Sequence, residues 1–182
     1  MIARLAAVVV ASGLLFACDA GNTSLPAPEK LTELATGVYC GMVLTEHAGP
    51  KAQVFEKGKS DALWFTAVRD AVAYSRLPGE AQHVIAIYVH DMGRATSWEN
   101  PQPEGIWILA DEAYYVVGSI KRGGMGMIEV VPFGQYEQAA AFAAQFGGKV
   151  VKYDDIPASS LFPDLEEDKP GTASVEKSKV IQ

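Results

Sequence analysis

Hydrophobic and polar positions along the chain fall into two similar series. In the first, Leu63-Trp64-Phe65 reads as the end of a strand and Ala67 to Ser75 as an amphipathic helix, with Thr66 suited to its N-cap. His83 to Val89 then reads as another strand. In the second, Ile128 to Phe133 reads as a strand and Gln135 to Phe146 as an alanine-rich helix. Gly147-Gly148 end that helix where positive φ is wanted, and Lys149 to Tyr153 alternates as a strand. Extra strands are expected before each series, Val38 to Glu46 with Ala52 to Glu56, and Trp107 to Leu109 with Ala113 to Gly118. The fold class that follows is α+β, with two tandem β-β-α-β-like units, residues 37–99 and 106–156, joined by the Pro/Gly-rich segment Asn100 to Gly105.

The two ends differ from this pattern. Arg4 followed by an apolar run from Leu5 to Ala17 predicts a secretory signal peptide over residues 1–17, too short to span a bilayer comfortably. Leu15-Phe16-Ala17-Cys18 resembles the lipobox of bacterial lipoproteins, in which the cysteine becomes the lipid-carrying N-terminus. Residues 18–36, with Ser, Asn, Thr and two prolines, then read as a tether, and residues 157–182 as an acidic, flexible tail in which Leu161-Phe162 can still pack on the body. The expected location is the periplasm, on a lipid anchor; the sequence leaves open whether inner or outer membrane holds it.

A formal net charge of −7 and the lack of a basic stripe argue against a nucleic-acid partner. The chain has 2 cysteines. If Cys18 is lipidated, Cys40 stands alone in an oxidising compartment, where an unpaired thiol needs burial, a metal or a catalytic role. Met42 follows two positions later. On the expected strand, i and i+2 share a face, so thiol and thioether would project together as a soft pair suited to Cu(I). The same spacing equally describes a buried cysteine beside a core methionine.

Other candidate ligands are His47, in a turn that could fold back over the thiol, and Met125 and Met127, on a loop after Gly123-Gly124. His90 and Met92 close a strand, and His83 reads as structural. G-x-S-x-G, H-E-x-x-H and C-x-x-C are absent. Cys40 with His47 or His90 could imitate a thiol nucleophile and base, although spacing indicates no acidic partner.

The stretches Cys40-Gly41-Met42, His47 to Gln53, Trp64 to Asp70, Tyr88 to Gly93, Ala113 to Ser119, Met125-Gly126 and Val131-Pro132-Phe133 together resemble the NosL family, accessory lipoproteins of nitrous oxide reductase. The resemblance implies a Cu(I) chaperone, not an enzyme, that supplies the reductase's catalytic copper–sulfide centre. It implies the reductase and its maturation ABC-type membrane complex as partners. It maps the C-x-M pair onto Cys40 and Met42 and a later methionine onto Met125, where Gly124 replaces the usual preceding proline. The rival expectations are a thiol-dependent, lyase-like enzyme using Cys40, and a lipid-anchored scaffold without metal.

Overall fold

Strand-forming runs of β-branched and aromatic residues pair into two antiparallel sheets in the computed structural model, which describes residues 24–101 and 105–162. The first sheet holds β1 (Ala52–Glu56), β2 (Leu63–Phe65), β3 (Val84–His90) and β4 (Trp107–Leu109), in the order β2-β1-β3-β4. The second holds β5 (Tyr114–Val117), β6 (Val131–Phe133) and β7 (Lys149–Lys152), in the order β6-β5-β7. Helix α1 (Val68–Ser75) connects β2 to β3, α2 (Tyr136–Phe146) connects β6 to β7, and the short α3 (Ala158–Leu161) follows. The fold is α+β, and β1-β2-α1-β3 and β5-β6-α2-β7 repeat one β-β-α-β order.

Helix α1 turns Val68, Ala71 and Val72 inward at helical spacing. They join Val54, Phe65 and Val89 of the first sheet and Tyr115, Val117 and Val130 of the second unit in one core. A smaller cluster of Val116, Val131, Phe133 and Ala139 lies between β5, β6 and α2. The large core therefore belongs to both units, and burial of this shared apolar surface is what joins them. Gly147, at φ +78°, ends α2 as its glycine predicts.

Several expectations are corrected. Val38 to Glu46 is not a strand. Gly41 takes φ +65°, its amide donates to the Gly37 carbonyl at 2.7 Å, and Leu44–Glu46 closes as a 3-10 turn. Backbone groups spent inside the loop are not available to a ladder. Trp107–Leu109 leaves the second unit and pairs with β3, His90 opposite Trp107 and Tyr88 opposite Leu109. The strand expected from Ile128 starts only at Val131, because Ile128 bridges Arg122 instead.

Thr66 does not cap α1; the N-cap position is Ala67, without a side-chain bond. From Pro26 onward the stretch read as a tether is bonded to the first sheet. The Tyr88 hydroxyl donates to the Pro26 carbonyl at 2.7 Å, and Glu29 exchanges bonds with the Gln53 side chain. Of the stretch read as a tail, α3 packs on α1 with Leu161 buried in the large core. Residues 1–17, Cys18 and residues 163–182 lie outside the described residues.

Candidate metal centre

Cys40 sits in a loop that its own backbone closes. Thr36 bridges Val43, the Gly37 amide donates to the Met42 carbonyl at 2.9 Å, and the Val38 amide donates to the carbonyl of Trp64 in β2, at 2.8 Å. Gly37 makes room for the thiol, since a Cβ there would lie 2.7 Å from Cys40 Sγ. The sulfur is half-buried, 3.9 Å from the Thr66 hydroxyl. Tyr39 packs edge-on against Phe65, their ring centroids 5.4 Å apart.

Met125 reaches the same place from the second unit. Arg122 bridges Ile128, and the Gly123 amide donates to the Met127 carbonyl at 2.9 Å, so residues 122–128 form a tight reversal with Met125 near its tip. Close approach explains the glycines: a Cβ on Gly124 would stand 2.8 Å from both His47 Cβ and the Thr66 carbonyl. A larger residue in that position would push the loop off the first unit. The Trp98 indole fixes the other side, donating to the Arg122 carbonyl at 3.1 Å.

Cys40 and Met125 line one cleft of about 150 Å³ with Tyr39, Phe65, Thr66 and Asp70. One thiol and one thioether are soft donors. Among the described residues no group of three or more His, Cys, Asp or Glu side chains is placed to hold a metal ion. Partial burial, then Asp70 and Glu80, push the Tyr39 phenol above its ordinary pKa, which keeps it protonated.

His47 braces the methionine loop. Its Nδ1 lies 3.0 Å from the Gly124 carbonyl. A carbonyl only accepts, so Nδ1 carries the proton and Nε2 of the neutral ring is a bare acceptor. That Nε2 is buried and has no hydrogen-bond partner among the described residues. An imidazole that donates one nitrogen to a carbonyl and leaves the other bare has the arrangement of a metal-ligating histidine. Lys51 holds the turn that carries it, its buried ammonium donating to the carbonyls of His47, Ala48 and Gly49 at 2.6 to 3.1 Å. Burial pulls Lys51 down to a pKa of about 8, and the Glu129 carboxylate opposes that shift.

The structure thus brings together Cys40 and Met125, and sets His47 against the neighbouring Gly124. Met42 shares the Cys40 loop but does not line the cleft, and it is 40% exposed. The face it was expected to share with the thiol disappears with the strand. Met127 is also outside the lining. His90 is buried under Trp107, ring centroids 4.0 Å apart, and burial and then Lys51 lower its pKa to about 3. Met92 packs with the small cluster beside α2. Sequence reasoning missed Lys51, Asp70 and Glu129. The signal available for Glu129 was a lone acid inside the apolar run Ile128 to Val131; for Lys51 and Asp70 there was none.

The family model described as NosL matches residues 28–161. The chain is 44% identical over 164 residues to "Copper-binding lipoprotein NosL" of Achromobacter cycloclastes, with 90% of this chain and 84% of that protein covered. It is 35% identical over 122 residues to the protein of the same description from Stutzerimonas stutzeri, with 67% and 62% covered. The crystal structure of the copper chaperone NosL from Shewanella denitrificans superposes with a TM-score of 0.69 at 31% identity, with 73% of this chain and 97% of that chain covered. These relatives are described as binding proteins and a chaperone, not as enzymes.

Proposed function

The chain belongs to the NosL family, and from that membership we propose that it is a periplasmic copper-binding lipoprotein. In this reading it is anchored through Cys18 and carries Cu(I) for assembly of the catalytic copper–sulfide centre of nitrous oxide reductase. The observation that carries the reading is the meeting of Cys40 and Met125, from different units, in one cleft. The Cys40 thiolate supplies the charge that holds a monovalent soft cation, and Met125 adds a neutral thioether. Neither His47 nor Met42 lines the cleft; in this reading His47, bonded to Gly124 next to Met125, and Met42, on the thiol's own loop, would be the further donors if they turned toward the ion. Met125 and Met42 are both partly exposed. Donors that reach solvent can be exchanged one at a time by an incoming partner's histidines, so copper passes across without becoming free. The partners in this reading are the reductase and its maturation ABC-type membrane complex.

Anaerobic titration of the folded protein with Cu(I) against a competing chelator tests binding. One equivalent should bind tightly and raise the melting temperature, because a ligand specific to the folded state stabilises it. A Cys40→Ala protein that titrates like the parent would refute the site. Delivery has a separate test. A deletion strain grown at limiting copper should export reductase polypeptide that lacks its catalytic centre. Full assembly in that strain would leave storage, not delivery.

A further inference from the structure

Glu129 is fully buried, and through Oε1 its carboxyl reaches the first unit, while Oε2 lies against a turn of its own unit. Oε1 accepts from the amides of Arg69 and Val130, each at 2.9 Å. Arg69 lies in the first turn of α1, beside the cleft residue Asp70, so Glu129 of the second unit fills the capping role that no side chain of α1's own N-cap takes. Oε2 is buried without a hydrogen-bond partner among the described residues and rests against Gly123, where any Cβ would overlap it. The Glu129 amide meanwhile donates to the Lys121 carbonyl at 3.0 Å, and Gly123 bonds to both Gly126 and Met127 across the Met125 turn. A buried carboxyl with one unpaired oxygen is costly, and a helix cap alone does not require the second oxygen there.

We propose that Glu129 is a positioning residue for the metal cleft: it clamps the first turn of α1 to the Gly123 turn and so sets Met125 against Cys40. This rests on the reading of Cys40 and Met125 as copper donors. A residue that only supported the fold would weaken every form of the site alike. One acting through Met125 should lose its influence when that sulfur is gone.

The test is a double-mutant cycle read by Cu(I) competition titration. Glu129→Ala should weaken Cu(I) about tenfold, as loss of a group orienting a ligand does, and by less than about twofold in a Met125→Ala background. Parent-like affinity, or the same loss in both backgrounds, overturns the proposal. A copper-free measurement separates it from the copper reading. In protein with 13C-methyl-labelled methionine, cross-peaks from the Met125 methyl to the Tyr39 and Phe65 rings should be present in the parent and lost in Glu129→Ala. Their persistence overturns the proposal even where copper binds. If Cys40→Ala titrates like the parent, the copper reading falls and the cross-peaks still decide the role of Glu129. Should Glu129→Ala not fold, Gly123→Ala drives Oε2 off the turn from the other side. It should lose the same cross-peaks, and retaining them overturns the clamp.

Discussion

The two loops that meet in the cleft are held in different ways. The Cys40 loop is closed by bonds within residues 35–44 and one bond to adjacent β2, so its shape is largely local. The Met125 loop also closes on itself, but its placement comes from the other unit: the His47 ring on Gly124, the Trp98 indole on Arg122 and the close approach to Thr66. One donor is thus carried by a self-contained loop and the other by tertiary contacts. In this arrangement copper would report on whether the units are correctly docked, as well as on its own ligands.

The largest effect should come from the locally built side. Cys40→Ala should weaken Cu(I) at least a thousandfold, about 4 kcal/mol, while thermal stability changes little because the thiol is only half-buried. Retained tight binding would dissolve the comparison, since the thiol would then not be the anchor. Met125→Ala should follow, with a loss of about ten- to hundredfold and a smaller copper-induced rise in melting temperature. Met127→Ala should cost less than either. Equal effects of Met125 and Met127 in the same titration would mean that the turn, not one sulfur, faces copper.

The junction between units can be read by pH. Burial first, and then Asp70, raise the Glu129 pKa to about 7, against the lowering by the Arg69 and Val130 amides and the Arg69 charge. The folded state therefore holds a proton that the unfolded chain gives up near 4.5, the ordinary value for glutamate. This contribution is complete below that value and is lost as pH rises through about 7. Lys51, lowered to about 8, has the opposite sign, but its window lies above that pH. Between pH 5 and 7.5 the parent should lose about 2 kcal/mol relative to Glu129→Gln in urea melts. Parallel pH profiles would show that Glu129 does not couple the units electrostatically.

The smallest change should come from His47→Gln, which keeps a donor toward Gly124 at altered length. A cost of about 1 kcal/mol in stability is expected. A copper loss well beyond that would sharpen the case for Nε2 as a ligand, and none would confine His47 to bracing the loop.

Much of the outline was legible along the chain. Alternation and helical spacing placed β1, α1, β3, α2 and β7 within a residue or two, and Gly147 marked the end of α2, because these follow from local period and backbone freedom. The family resemblance also stood in the sequence, and with it the choice of Cys40, Met42 and Met125, of which Cys40 and Met125 line the cleft. What the sequence alone did not decide was how these residues meet. Gly41 at positive φ turned an expected strand into a loop, which removed the shared face of Cys40 and Met42. The outer edge of β3 took β4 from the second unit, and Glu129 supplied the cap of α1 from 60 residues away. Local propensity carries no record of such partners. A free sheet edge and an unbonded helix end are satisfied by whatever donor or acceptor the packed core brings near, and only the tertiary structure decides which residue that is.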